Sequence, residues 1–375
     1  MKKILCIFIA LIMVMSSAAV AEKPETESVV STTVMPAESE TESAFPSWNA
    51  DAPSLKTLTE YVDDVTDETS LNYIPPEERI ATFDMDGTLM GELMPTYLCI
   101  ILLMHRIFDD PTYMPDADMV AFGKLMRDHA LDKSFPEGFE VDFSCHEAVA
   151  FAGMTLNEYV DYVTRFILYE VDGFENLTYT NAYYLPMAEV VEYLQGNGFI
   201  CYIVSGSDRF LVRTFVEGIL DIPSENIIGS DVALEAGGHG AADGYDSDFA
   251  VGDTVVRTDE LLIKAIKANK VIQIAQDIGR PPVISFGNSS GDTGMHNYTL
   301  GNSRYRSAAF QLIADDDVRD YGNSAKGMEL RKEWESMGYT VISMRDDWKT
   351  IYGENVIRTG RFRWLEDYAD DRIGR

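Results

Sequence analysis

Asp84 and Asp86 stand two positions apart at the end of the apolar run RIATF, in the string FDMDGTL, and Gly87-Thr88 follows at once. In extended backbone, residues i and i+2 face one side, so the pair can present two carboxylates to one ligand. Gly87 lacks a Cβ and suits the turn that comes next. One carboxylate can attack an electrophile while the other moves a proton. The same residues also read as an acidic turn after a strand or as part of a metal loop, and text elsewhere has to decide.

Phosphoryl chemistry would need hydroxyl and backbone donors for the equatorial oxygens, a fixed cation and hard oxygen ligands for a metal. Ser205-Gly206 close the apolar run FICYIV, where a hydroxyl and adjacent N–H groups can meet an anion; the plainer reading of Ser205 is a helix cap. Asn288 and Asp292 lie in GNSSGD, after another apolar run. Lys264, Lys267 and Lys270 fall on one predicted helical segment; Lys270 fits as the cation with Lys264 as the runner-up, and an unused lysine reads as a solvated helix residue. Glu92 opens the next segment, as a substrate contact or an exposed hinge glutamate.

Short apolar runs without clean alternation recur at 79–83, 199–206, 226–230, 282–288, 308–315 and 339–343, separated mostly by helical patterns. This predicts a parallel α/β sheet, whose ligands sit at the carboxyl ends of its strands. Three runs end in polar, glycine-containing text: DMDGT, SGSD and GNSSGD. Helices are expected over 54–65, from Pro186 to Gly196, and from Ser207 or Asp208 to about Leu220. Between 91 and 185 the pattern turns helical, with Thr155 and Glu158 as a capping box, which marks an inserted module. The core then comprises 48–90 and 186–375. Residues 237–256 read as turn text with a hairpin; Asp243, Asp246 and Asp248 lack the spacing of a calcium loop.

The chain of 375 residues, 46% apolar, can bury a proper core. Residues 1–21 have a basic start, a short apolar run and Ala19-Val20-Ala21, which read as an export signal cleaved after Ala21, giving a secreted or periplasmic protein with no membrane insertion. Residues 22–47, rich in Glu, Ser, Thr and Pro, read as a disordered acidic tether. The formal charge of −32 becomes −34 when Lys2 and Lys3 leave, a field that repels nucleic acid and anionic lipid. Cys99, Cys145 and Cys201 remain; Cys201 reads as a buried hydrophobe, and a Cys99–Cys145 bridge is permitted by export. No Cys-x-x-Cys pair suggests zinc.

FDMDGTL, IVSGS and GNSSGD, in this order and spacing, resemble the motifs of the haloacid dehalogenase-like superfamily, in its phosphoserine-phosphatase-like branch, over about residues 75–350. The resemblance implies a Rossmann-like sheet flanked by helices with an inserted α-helical cap. It also implies an Mg²⁺-dependent phosphohydrolase acting on a small phosphorylated metabolite. Asp84 would be the nucleophile and Asp86 the acid and base. Ser205, Gly206 and Thr88 would serve the phosphoryl group with Lys270, which is preferred because Asn269-Lys270-Val271 matches the family text before GRPPVISFGN. Asp84, Asp86 through its carbonyl, Asn288 and the supporting Asp292 would form the metal site. Asn288 departs from the usual Gly-Asp, which weakens Coulomb attraction to the metal. An acid at position 86 favours phosphoester hydrolysis over dehalogenation. Phosphotransferases and phosphomutases share these motifs, and a surface protein that binds a phosphorylated ligand without turnover is a further alternative. Tyr97, Tyr159, Tyr162, Tyr183 and Tyr184 could form a cage for a quaternary ammonium; their helical spacing reads first as the core of the cap.

Overall fold

The computed structural model describes residues 44–91, 96–237 and 248–362. The chain runs from α1 (Pro53–Thr66) into β1 (Ile80–Phe83), and then through four helices, α2 (Leu98–Phe108), α3 (Ala117–His129), α4 (Phe139–Ala150) and α5 (Leu156–Phe166). Short β2 (Phe174–Glu175) precedes α6 (Leu185–Gly196), β3 (Ile200–Asp208), α7 (Arg209–Val216), β4 (Ile227–Gly237) and β5 (Thr254–Ile263). The second half of the core is α8 (Ala268–Asp277), β6 (Ile284–Gly287), α9 (Thr293–Leu300), β7 (Ala308–Ile313), α10 (Ser324–Ser336), β8 (Thr340–Ser343), α11 (Met344–Asp347) and β9 (Ile357–Arg358).

The main sheet has the order β5-β4-β3-β1-β6-β7-β8. β1 lies between β3 and β6, with Phe83 opposite both Ile203 and Phe286, so the three polar strand ends emerge side by side. Both faces of these strands are covered, and β1 and β6 are buried at every position. That is why their sequences run apolar without alternation. Phe83 and Phe286 stack at 4.5 Å and Phe286 and Phe310 at 5.1 Å across the middle of the sheet.

The fold is the expected α/β sheet, with one edge different: β5 is antiparallel to β4. The hairpin expected at 237–256 has longer arms, 227–237 and 254–263, and the turn carrying Asp243 and Asp246 lies outside the described residues. The helix after β3 ends at Val216, short of Leu220, where Gly218 takes φ +75°.

Residues 44–47, counted above with the tether, belong to the folded part. Phe45 and Trp48 are buried, the Ser47 N–H donates to the Glu189 carboxylate, and the Ser47 carbonyl accepts from Lys349 N. Trp48 packs edge-on against Trp348 at 6.1 Å, which pins residues 44–48 to the end of α11.

Helices α2–α5 form the module inserted between β1 and β3. α2 is buried along nearly its whole length, and α5 starts on the Thr155–Glu158 capping box. The module is docked on the edge hairpin: Gly153 N donates to Arg257 O at 2.8 Å, and Arg257 N to Met154 O at 2.9 Å. Tyr159, Tyr183 and Tyr184 are buried in the core, so they form no ligand cage. Cys99 and Cys145 are not bridged, and Cys201 is buried as expected. Among the described residues, no helix is long and apolar enough to cross a membrane.

Candidate active site

Asp84 continues β1, its N–H donating to Phe286 O of β6 at 2.9 Å. The chain then folds back at Gly87, φ +81°, where an L side chain would be strained. Gly87 N donates to Met90 O and Thr88 N to Met85 O, closing a tight loop beneath the two aspartates. Thr88 is wholly buried within this loop, and its hydroxyl does not reach the cavity. Its place is therefore structural, which differs from the phosphate contact expected of it.

From β3, Ser207 Oγ donates to Asp86 Oδ2 at 2.8 Å and Ser205 Oγ to the same oxygen at 3.4 Å. Ser205 is 0% exposed and sits behind Ser207, whose N–H it accepts at 3.0 Å. Gly206 and Ser207, not Ser205, face the cavity. Sequence reasoning missed Ser207; its signal was the second serine of SGS, two positions on and therefore on the same side as Ser205. Asp208 caps α7 by accepting from Phe210 N and Leu211 N.

Lys270, in the first turn of α8, places Nζ 2.5 Å from Asp84 Oδ1 and 2.7 Å from Asp292 Oδ1. Burial opposes its charge, but the two carboxylates outweigh that and raise its pKa. Lys264 and Lys267 precede α8 and do not lie on it. Lys264 Nζ donates to Gly206 O at 2.7 Å, so it braces the β3 end and is not a solvated helix residue.

At the end of β6, a Cβ on Gly287 would meet Asp292 Cβ at 2.6 Å, so only glycine lets Asp292 fold over the strand end. Asp292 Oδ2 accepts from Asn288 N at 3.1 Å, Ser289 N at 3.0 Å and Ser289 Oγ at 3.2 Å. With Oδ1 on Lys270, both oxygens are committed. Asp292 therefore acts at the edge of the site as a support for Lys270 and the Asn288 loop, with neither oxygen left uncommitted for a metal. Beneath this loop, Gln311 Nε2 donates to Ser289 O at 3.1 Å, His296 Nε2 donates to Gln311 Oε1 at 2.6 Å, and Ser285 Oγ donates to His296 Nδ1 at 2.7 Å. Burial lowers the His296 pKa to about 4, which keeps the ring neutral in this chain.

These strand ends open on a cavity of about 390 Å³. Asp84, Asp86, Lys270, Asn288 and Asp292 all line its core side. Burial, then the neighbouring Asp292 charge, holds the Asp84 carboxyl well above the usual range against the pull of Lys270. Glu92 lies outside the described residues.

The sequence profile of haloacid dehalogenase-like hydrolases matches residues 81–296, more than half of the chain. The chain belongs to that family. Among solved structures, this haloacid dehalogenase-like hydrolase is similar to a conserved protein of unknown function from Anaerococcus prevotii DSM 20548, with TM-score 0.47 and 14% identity, covering 84% of this chain and 96% of that one. A cytosolic 5'-nucleotidase IIIB bound to cytidine gives TM-score 0.45 and 12% identity over 77% and 84%. A phosphoserine phosphohydrolase-like protein from Francisella tularensis subsp. tularensis SCHU S4 gives 0.38 and 16% over 70% and 94%. No curated protein sequence matches the hydrolase.

The family implies Mg²⁺, and the donors here suit it. Asp84, Asp86 and Asn288 bring only oxygen donors to the cavity, the ligand type of a hard cation. Among the described residues no cluster of three or more His, Cys, Asp or Glu is placed to hold a metal.

Proposed function

We propose that this hydrolase is an exported Mg²⁺-dependent phosphatase that cleaves a small phosphomonoester through an aspartyl-phosphate on Asp84. The observation that carries the reading is Lys270, buried between Asp84 and Asp292 at the wall of a cavity that also exposes Asp86. Export rests on residues 1–21.

Lys270 fixes one Asp84 oxygen and leaves the other to attack phosphorus as the P–O bond to the alcohol breaks. Asp86 gives its proton to the departing alcohol oxygen, and the hydroxyls of Ser207 and Ser205 stabilise the carboxylate that remains. Asp86 then takes a proton from water as that water attacks phosphorus, which releases inorganic phosphate and restores Asp84. Gly206 and Ser207 face the phosphoryl group from the end of β3. Asp84, the Asp86 carbonyl and Asn288 would hold Mg²⁺, which supplies charge neutralisation for the phosphoryl oxygens.

The test is phosphate release with Mg²⁺ from a panel of phosphomonoesters, using wild type and Asp84→Asn. Release by wild type without an added acceptor, abolished in Asp84→Asn, supports hydrolysis. Phosphate appearing only on an acceptor alcohol would make the protein a phosphotransferase, and no turnover of any member would remove the enzyme reading.

A further inference from the structure

Besides the carboxylates and lysine of the core, the cavity is lined by Tyr97, Phe135, Phe139 and Phe143 of the inserted module. Phe135 and Phe139 are stacked in parallel at 3.9 Å and 7°, and Phe139 continues to Phe122 at 5.8 Å and 15°. Phe135, which the His129 ring also approaches at 6.4 Å and 54°, is half-buried and lines the cavity. A phosphate alone needs only a small part of about 390 Å³.

The charge of the lining points the same way. Apart from Asp84, Asp86, Lys270 and Asp292, its ionisable acids and bases among the described residues are Lys133, Lys264 and Lys267 against Glu140. Over the whole lining four lysines balance four acids, in a chain with 62 acidic and 30 basic residues. Two of the aromatic faces are also already occupied by cations: the Lys133 ammonium lies 4.9 Å from the Tyr97 ring centroid and that of Lys264 lies 5.7 Å from Phe143. An ammonium-bearing substrate would meet like charge where it needs an open π face.

We infer that the substrate's alcohol carries a flat aromatic ring and no ammonium group, the ring extending the Phe135–Phe139 stack while the phosphate sits at Asp84. This rests on the phosphatase reading and narrows it. Rings at stacking distance gain from quadrupole geometry as well as from area, which separates a flat ring from a saturated one of equal size.

The test compares kcat/KM for benzyl phosphate, cyclohexylmethyl phosphate and phosphocholine, three esters of unactivated primary alcohols, with Mg²⁺ on wild type and Phe135→Leu. Benzyl phosphate is expected to exceed cyclohexylmethyl phosphate by about two- to tenfold and phosphocholine by more. Phe135→Leu should bring the first ratio towards one. Equal values for the two rings in wild type, or preference for phosphocholine, overturns the inference while leaving the phosphatase reading intact. Calorimetric titration of benzylphosphonate against methylphosphonate into wild type with Mg²⁺ separates the two ideas: no turnover of any ester, but tighter binding of the benzyl compound, removes the phosphatase reading and the substrate with it, and leaves the aromatic wall as a site for a ring-bearing phosphorylated ligand. No turnover with equal binding removes that site as well.

Discussion

Lys270 Nζ lies 2.5 Å from Asp84 Oδ1, although 186 residues separate the two in sequence. The same ammonium holds Asp292, and all three groups are buried. Removing one member of such a set leaves charge without compensation in a low-dielectric interior, a loss of about 3–5 kcal/mol. Lys270→Met should therefore lower the melting temperature and abolish phosphate release together. Lys264→Met, which removes a contact to a backbone carbonyl, should cost far less of both. Thermal melts and phosphate assays on the two variants check this.

Asp86 is assigned the proton delivered to the leaving alcohol, so its loss should depend on how much that alcohol needs a proton. Asp86→Asn is expected to reduce turnover of benzyl phosphate by about 10²–10⁴-fold and that of 4-nitrophenyl phosphate by much less. Equal losses in first-turnover alcohol release from the two esters, a step that precedes the water attack Asp86 also serves, would show that Asp86 does not deliver the proton to the leaving alcohol.

Much of the sheet is legible in sequence because strands covered on both faces are written as short apolar runs, and β1, β3, β6, β7 and β8 fall where those runs do. The three polar run ends meet because β3, β1 and β6 are neighbours, and Lys270 lies beside Asp84 while Lys264 donates to Gly206 O. What could not be read is set by distant packing. Ser207 replaces Ser205 at the cavity wall because β3 continues to Asp208 beyond the end of its apolar run. Phe135, Phe139 and Phe143 read only as apolar helix text until the module folds them over the core. Gln311 carried a signal, a lone amide inside AAFQLI, which only the His296 and Ser289 contacts explain.

That amide holds the loop that presents Asn288. Second-layer partners of metal ligands commonly change metal affinity by about 10–100-fold when lost. Gln311→Leu should raise the Mg²⁺ concentration for half-maximal activity by about tenfold while leaving kcat at saturating Mg²⁺ within a few-fold. A fall in kcat that added Mg²⁺ does not restore would place the effect on general packing.

Glu147 is buried where α4 meets β5, among Asp208, Lys264, Arg257 and Asp86. Burial, then the Asp208 charge, raises its pKa from 4.5 to about 8. The folded state thus binds a proton that the unfolded state has released between these values, and stability falls as pH rises from about 4.5 to about 8. Glu147→Gln keeps the shape without the charge, so its melting temperature should fall less than that of wild type between pH 5 and pH 8. Parallel pH profiles for the two proteins would contradict the assignment.

The central claim is that phosphorus becomes bonded to Asp84, and chemical trapping tests it most directly. Wild type with Mg²⁺ and a turned-over phosphomonoester is quenched, reduced with borohydride, digested and sequenced by mass spectrometry. An acyl phosphate on Asp84 predicts homoserine at position 84, dependent on substrate and absent when phosphate release is blocked by Asp84→Asn. Homoserine at any other aspartate, or an unmodified peptide from protein that is actively releasing phosphate, would contradict the mechanism.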